Sequence, residues 1–240
     1  MPTITEKTVR EIALETPSSI RVFEALGIDY CCGGKRPLSD ACSHANVDFD
    51  RVQQLLEKAK CDSQAAAGEE WSGKPLRDLI LIIIQKHHGF VRRETPRVEA
   101  LLTKVGLRHG PNHPEIAQIT QLFSAMSQEL STHMHKEEQV LFPYIERMER
   151  ATERGEPIPP AFFGTVKRPI ANMVAEHDDA GALLARIREL SSGYTAPAGA
   201  CPTFLALYNG LEEFERDLHH HVHLENNILF PRAVDMEKAG

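Results

Sequence analysis

The sequence HMHKEEQVLFP at residues 133–143 is repeated as HVHLENNILFP at residues 221–231. Six of the eleven positions are identical, and the two copies begin 88 residues apart. Each copy places a histidine four residues before a glutamate. Residues four apart on an α-helix lie on the same face, about one turn apart, so each copy presents an imidazole beside a carboxylate. The repeat therefore predicts two helices with the same kind of metal-binding face.

Two more histidines keep nearly the same offset. His88 precedes the first copy by 45 residues, and His177 precedes the second by 44. A single His-x-x-x-Glu pair is usually an ordinary side-chain contact on a helix, but two copies with matched partners are hard to explain in that way. His87 remains an alternative to His88, because the two are neighbours in the chain. We therefore predict that four helices supply six metal ligands: His88, His133, Glu137, His177, His221 and Glu225.

Four imidazoles and two carboxylates favour a transition metal. Imidazole suits iron, zinc and copper, and the set contains too much nitrogen for magnesium or calcium. We predict a binuclear non-haem iron centre, in which Glu137 and Glu225 bridge two ions and each iron takes two imidazoles. An oxo or hydroxo group would be a third bridge. Open coordination positions would admit a small molecule such as O2 or nitric oxide, and manganese in place of iron remains an alternative.

Two further carboxylates lie close to the ligands in the chain. Glu129 is four residues before His133, on the same helix face, and Glu176 directly precedes His177. We predict that Glu129 and Glu176 support the ligands or line a path to them. For Glu176, a solvated surface charge is an equally good interpretation.

Three other neighbours of the ligands are predicted to have no role at the centre. His135 and His223 lie two residues after a ligand histidine, about 200° around the helix, and are predicted to face outward as surface residues. Glu138 is one position away from the ligand face and is predicted to be an ordinary polar residue.

The predicted ligands lie on four long helical patterns. The patterns are separated by glycine- and proline-rich stretches and run from about residue 75 to 104, 114 to 153, 165 to 190 and 202 to 235. Long helices joined by shorter loops predict an up-down-up-down four-helix bundle. Pro96 should kink the first helix, because proline removes a hydrogen-bond donor. No stretch alternates usefully with period two, so we predict an all-α protein.

The residues before the bundle are predicted to form a small helical domain. Residues 1–64 contain several short helical patterns, and residues 65–74 are rich in small and polar residues without periodicity. We therefore predict three parts: a helical domain at 1–64, a linker at 65–74 and the bundle at 75–240.

Adjacent cysteines mark a turn in the small domain. Cys31 and Cys32 are followed by two glycines, which allow backbone positions that a Cβ would forbid. We expect these thiols to lie near a helix start, where a lowered pKa would let them pass electrons or iron. Alternatively, they form a strained vicinal disulfide, or the turn only needs small residues. Cys42, Cys61 and Cys201 have no partner by spacing and are predicted to be ordinary residues.

Composition and charge restrict the function further. A net charge of −7 and a pI near 5.9 argue against a nucleic-acid-binding surface. Five cysteines are an odd number, unlike a disulfide framework. The chain opens without an apolar leader segment, and its longest apolar run is far shorter than the roughly 20 residues of a membrane span. We predict a cytoplasmic protein.

These motifs resemble one known family, the Repair of Iron Centres (RIC) proteins, which are bacterial di-iron proteins with a hemerythrin-like domain. Asp29-Tyr30-Cys31-Cys32-Gly33-Gly34-Lys35 is similar to the amino-terminal signature of that family. The stretches at 131–143, 175–181 and 221–231 are similar to its second-, third- and fourth-helix motifs. The resemblance covers nearly the whole chain, and the cysteine–glycine signature makes it specific.

The resemblance implies a function and a ligand set. The metal ligands of the family correspond to the six residues chosen here by spacing. The resemblance further implies a cytoplasmic stress-response protein, a homodimer, that restores iron–sulfur clusters damaged by nitric oxide or oxidants by supplying iron. Its partners would be the damaged iron–sulfur proteins and an electron donor. Nitric oxide reduction at the di-iron site is an alternative, as is an O2 or nitric oxide sensor or carrier.

Overall fold

The computed structural model describes residue 4 and residues 7–62 and 73–239. Most of the predicted linker, residues 65–72, lies outside this part of the chain. All regular structure in the described part is helical, and the β-type contacts recorded there are isolated bridges, Thr8 with Pro37 and Ala161 with Gly164. The prediction of an all-α protein is confirmed.

The amino-terminal part contains short helices that begin and end at recognisable residues. They are α1 (Val9–Glu15), α2 (Ser19–Leu26), α3 (Leu38–His44) and α4 (Phe49–Asp62). Thr8 and Glu11 form a capping box at the start of α1, in which each side chain accepts a hydrogen bond from the other backbone N–H. Gly27 ends α2 at a φ of 66°, a conformation that costs glycine little. The turn with the adjacent cysteines follows.

Between residues 73 and 239, four long helices correspond to the four predicted patterns. The first consists of α5 (Leu76–Ile82), π1 (Ile83–His88) and α6 (Gly89–His109), and the second of α7 (Glu115–Lys136), π2 (Glu137–Leu141) and α8 (Phe142–Glu153). The third is α9 (Lys167–Leu190), and the fourth consists of α10 (Pro202–Leu224), π3 (Glu225–Leu229) and α11 (Phe230–Ala239). α6 packs against α7 and α10, and α7 against α9, as in a four-helix bundle.

Each π turn adjoins a predicted ligand. π1 ends at His88, π2 begins at Glu137 and π3 begins at Glu225. A π turn widens the helix locally and is frequent at functional sites. Pro96 lies inside α6, and the helix continues on both sides of it. The α-helical hydrogen bonding of the first long helix is interrupted at π1, before the proline. No helix of the described residues is long and apolar enough to cross a membrane.

Two apolar clusters lie on either side of the predicted ligands. The larger cluster joins the amino-terminal helices to the bundle and includes Phe23, Tyr30 and Phe123. The smaller cluster fills the opposite end of the bundle and includes Ile83 and Phe230. A buried side chain of this kind contributes roughly 1.5–3 kcal/mol. The amino-terminal helices are therefore packed onto the bundle through a shared core.

Candidate metal centre

The six predicted ligands converge in a polar layer between the two apolar clusters. The side chains of Glu137 and Glu225 are 0% exposed, and the four histidines are at most 2% exposed. Their ligand atoms form two adjoining groups that share both carboxylates. One group, here named position 1, contains His88 and His221, and the other, position 2, contains His133 and His177.

The imidazoles of each position face one another. His88 Nε2 lies 3.2 Å from His221 Nε2 at position 1, and His133 Nε2 lies 3.0 Å from His177 Nε2 at position 2. Metal–imidazole bonds are about 2.0–2.1 Å long, so two Nε2 atoms at these separations can reach the same ion.

The two carboxylates lie between the positions. Glu225 directs Oε1 to His221 Nε2 at 2.9 Å and Oε2 to His177 Nε2 at 3.0 Å, so its two oxygens serve different positions. Glu137 Oε2 is 3.4 Å from Nε2 of both His88 and His133. This arrangement is compatible with carboxylates that bridge two ions.

The outer nitrogens of three histidines are held by oxygen atoms. His88 Nδ1 lies 2.6 Å from Glu138 Oε1, His133 Nδ1 lies 2.8 Å from Glu176 Oε2, and His177 Nδ1 lies 2.9 Å from Asn226 Oδ1. Because these oxygens accept hydrogen bonds, the neutral ring carries its proton on Nδ1 and directs the Nε2 lone pair into the centre. The same arrangement is general for histidines that bind metals.

The electrostatics of the centre also fit a cation. Burial alone would lower the pKa of His133, but the Glu137 carboxylate outweighs it and raises that pKa to about 9. At His88 burial is likewise outweighed by Glu137, and the pKa is raised. Both oxygens of Glu137 are buried without a hydrogen-bond partner among the described residues. The negative potential that raises these pKa values would attract a metal ion, and the His and Glu ligands are compatible with non-haem iron.

The structure separates the two histidines that spacing could not. His88 belongs to position 1, whereas His87 directs Nδ1 to Asp217 Oδ1 at 3.1 Å. The His87 ring instead stacks against His221, with ring centroids 5.7 Å apart and planes 10° apart.

Two predictions about neighbouring residues were wrong. Glu138 is not merely polar, because it holds His88 and itself accepts hydrogen bonds from Arg92 at 2.8 and 2.9 Å. His223 is not a surface residue: it is 3% exposed, and burial lowers its pKa to about 3. The amino-terminal part covers it, with the ring of Tyr30 centred 5.4 Å away. His135, in contrast, is exposed as predicted.

Glu129 and Glu176 occupy different places relative to the ligands. Glu176 contacts His133 and forms an ion pair with Lys136. Glu129 is exposed and lines a surface depression of about 410 Å³ together with His133, Lys136 and Glu176. Glu176 therefore touches a ligand candidate, whereas Glu129 shares a surface depression with His133.

The adjacent cysteines lie in a turn that Asp29 organises. Its carboxylate accepts hydrogen bonds from the backbone N–H groups of Cys31, Cys32 and Gly33 at 2.8 to 3.0 Å. The turn also needs Gly34, because a Cβ there would meet the carbonyl oxygen of Tyr30 at 2.6 Å. The predicted glycine requirement is thus confirmed at this position.

The expected lowered thiol pKa is wrong for Cys31. The cysteines do not start a helix, since α3 begins only at Leu38. Contact with the Cys32 thiol and, to a smaller extent, burial raise the pKa of Cys31 well above its usual value. Both cysteines are free thiols, with sulfurs 3.8 Å apart, so the alternative of a vicinal disulfide does not describe this state.

The cysteine turn contacts the ligand candidate His177 and its neighbour Asn226. The Cys32 thiol donates to the carbonyl oxygen of His177 at 3.6 Å. Asn226, whose oxygen faces His177, donates from its nitrogen to the carbonyl oxygen of Cys31 at 3.5 Å. The next residue, Asn227, donates to the carbonyl oxygen of Tyr30 at 3.0 Å. Two consecutive asparagines of π3 therefore join the turn to the bundle.

Cys201 also has a partner that spacing did not reveal. It is the N-cap residue of α10, and its sulfur lies 3.2 Å from His109 Nε2 at the end of α6. The two residues are 92 positions apart, so only the packing of α6 against α10 brings them together.

Comparison with known proteins agrees with this architecture. Residues 79–233 match the Hemerythrin HHE cation binding domain, and residues 5–60 match ScdA_N, a domain of unknown function (DUF542). The chain is 36% identical over 223 residues to the "Iron-sulfur cluster repair protein YtfE" of Yersinia pseudotuberculosis serotype IB (strain PB1/+) and to that of Yersinia pestis (strain Pestoides F). Each alignment covers 93% of this chain and 94% of the relative.

The two matched domains have the order and the residues that the sequence motifs indicated. The hemerythrin match contains all six residues of the centre, and the ScdA_N match contains the cysteine turn. The chain therefore belongs to the Repair of Iron Centres family of hemerythrin-like proteins.

Proposed function

We propose that this protein repairs iron–sulfur clusters damaged by nitric oxide or oxidants by donating iron from a binuclear non-haem centre. The observation that supports this proposal is the pair of adjoining positions, each with two imidazoles, that share Glu137 and Glu225. The relatives of similar length, which are named as iron–sulfur cluster repair proteins, support the same assignment.

The six residues would bind two irons and leave some coordination positions open. His88 and His221 would bind one ion, His133 and His177 the other, and the two glutamates would bridge them. Six protein ligands do not fill two octahedral coordination shells, so bound iron would supply exchangeable sites for solvent, nitric oxide or O2. The oxygens that hold Nδ1 of His88, His133 and His177 would keep these rings oriented.

The cysteine turn would act between the centre and the partner. Cys32 is half-buried and touches the backbone of His177, so its thiol would relay iron or electrons between the centre and the partner. Cys31 is buried, and its sulfur, 3.8 Å from that of Cys32, would assist the relay. The partner would be a damaged iron–sulfur protein.

We extend the proposal to the domain boundaries, the cellular location and the oligomeric state. The small domain would comprise residues 1–64, the linker 65–74 and the bundle 75–240. We infer a cytoplasmic stress-response protein that acts as a homodimer, with Glu129 and Glu176 along the route to the iron.

A second candidate is nitric oxide reduction at the same centre. The depression lined by His133 favours it, because a small molecule bound there would lie next to a residue of position 2. Catalytic formation of nitrous oxide by reduced protein with an electron donor would support an enzyme, and stoichiometric nitrosylation alone would argue against one. Reversible O2 binding without oxidation would instead indicate a carrier or sensor.

The test compares wild type with Glu137→Ala and with Cys31→Ala/Cys32→Ala. We expect about two irons per chain with antiferromagnetic coupling, lost in the glutamate variant and kept in the cysteine variant. Iron transfer from wild type to a damaged iron–sulfur protein, reduced in the cysteine variant, would support donation. One iron or zinc per chain would contradict the binuclear centre, and repair without loss of iron would contradict donation.

A further inference from the structure

The two metal positions differ in the support of their outer ring nitrogens. At position 2 both histidines are held, His133 by Glu176 and His177 by Asn226. At position 1 His88 is held by Glu138, but His221 Nδ1 is buried and has no hydrogen-bond partner among the described residues. Position 1 therefore depends on a single outer hydrogen bond.

The surroundings of His221 explain why its outer nitrogen is unpaired. The ring of His87 stacks against it, and this histidine directs Nδ1 away from it, to Asp217. The His220 ring in turn lies edge-on to His87, with centroids 5.1 Å apart. The side of position 1 is thus covered by imidazole rings, whereas the corresponding side of position 2 carries a carboxylate and an amide.

We propose that iron at position 1 is the ion that leaves first, and that Glu138 is the positioning residue that limits its release. This inference rests on the proposed function, since it names which of the two ions would be donated. A carboxylate on Nδ1 increases the basicity of a ligand histidine and fixes its ring, and loss of such a partner lowers metal affinity by about 10- to 100-fold. The two positions share both carboxylates, so they differ in their outer partners and not in their carboxylate ligands.

The bundle provides a matched control for Glu138. Arg92 pairs with Glu138, and Lys136 pairs with Glu176 in the same way, so each position has one cation–carboxylate–histidine series. Removing Glu176 leaves Asn226 at position 2. Removing Glu138 leaves position 1 without any outer partner.

The experiment titrates iron-loaded wild type, Glu138→Ala and Glu176→Ala with a ferrous chelator and measures iron per chain. We expect wild type to release iron in two steps. In Glu138→Ala the first step should move to a chelator concentration about 10- to 100-fold lower, and in Glu176→Ala the two steps should converge. Glu138→Gln keeps an acceptor and should fall between wild type and Glu138→Ala.

Anomalous diffraction at the iron edge from partly depleted wild-type crystals identifies the ion. Lower occupancy between His88 and His221 supports the inference. Lower occupancy between His133 and His177, beside the surface depression, would mean that access outweighs ligand support and would overturn it, as would equal depletion of both. Iron transfer to a damaged cluster is scored separately, so donation can stand when the order of release is refuted.

Circular dichroism and unfolding by urea separate this effect from misfolding. Glu138→Ala and Glu176→Ala both remove a partly exposed carboxylate that pairs with a surface cation, so similar changes in metal-free stability are expected. A shift in iron release that merely follows a loss of stability in the metal-free protein would contradict the positioning role of Glu138.

Discussion

Replacing Asn226 tests how much one outer hydrogen bond contributes to iron retention. The bond from His177 Nδ1 to Asn226 Oδ1 measures 2.9 Å, and His177 is 1% exposed. Asn226→Leu keeps the approximate volume but leaves a buried donor unpaired, which costs about 1–3 kcal/mol. That cost destabilises the fold with and without iron, whereas loss of the outer partner of a ligand histidine lowers metal affinity by about 10- to 100-fold. Since 1.4 kcal/mol corresponds to a tenfold change in an equilibrium constant, iron binding at position 2 should weaken by about 1.4–2.8 kcal/mol.

The assay is equilibrium competition with a chelator, followed by iron analysis of the separated protein. Asn226→Asp offers His177 a carboxylate, as Glu176 does for His133, and should retain iron at least as well as wild type. Asn226→Leu should release its second iron at a lower chelator concentration than wild type.

The neighbouring asparagine provides the control. Asn227 donates to Tyr30 and contacts His223 Nδ1 at 2.8 Å, and contacts none of the six ligands through these bonds. Asn227→Leu should lower the free energy of unfolding by about 1–3 kcal/mol and leave the chelator midpoint unchanged. Equal retention of iron by wild type and Asn226→Leu, or a larger loss in Asn227→Leu, would refute the reasoning.

Three other predictions concern thiols, alkaline stability and an ion pair between a partly exposed arginine and a buried glutamate. Iodoacetamide should label Cys32 faster than Cys31, because Cys31 is buried and its pKa is raised; mass spectrometry of labelled peptides measures the order, and faster labelling of Cys31 would contradict it. Burial raises the pKa of Tyr208 to about 12, so the folded state keeps a proton that the unfolded state loses near pH 10. Stability should fall between pH 10 and 12 by about 1–3 kcal/mol, and less in Tyr208→Phe, as measured by urea unfolding. Arg188 binds Glu215 through two nitrogens, and the Glu215 side chain is 4% exposed. Arg188→Met should therefore cost about 3 kcal/mol, much of which Arg188→Met/Glu215→Leu should recover in the same assay.

The long helices were predictable because their signals are local. Glycine and proline bound each pattern, and the structure begins and ends the second helix at Glu115 and Glu153, where the sequence placed it. The π turns were not predictable, since they shift the hydrogen-bond register by one residue without a distinctive composition. The duplicated motif could identify the ligand candidates, because a repeat constrains spacing even where helix geometry is irregular.

The residues that prediction missed all depend on contacts between distant segments. Glu138 reaches His88 from another helix, and Cys201 meets His109 across α6 and α10. His223 was placed outside because a helix angle shows which face is opposite the ligands, but not whether another domain covers that face. The amino-terminal helices cover it, and no periodicity in the sequence indicates how two domains dock.

Asn226 connects the cysteine turn to the candidate metal centre, so thiol oxidation and iron binding can be thermodynamically coupled. Its side-chain oxygen contacts the metal-ligand candidate His177, and its side-chain nitrogen donates to the backbone of Cys31. A shift of this amide therefore changes both contacts. Coupling between two sites is reciprocal. If oxidation of the thiols weakens iron binding by some factor, then loss of iron must favour oxidation of the thiols by the same factor. The redox state of the cysteine pair would then report how much iron the protein still carries.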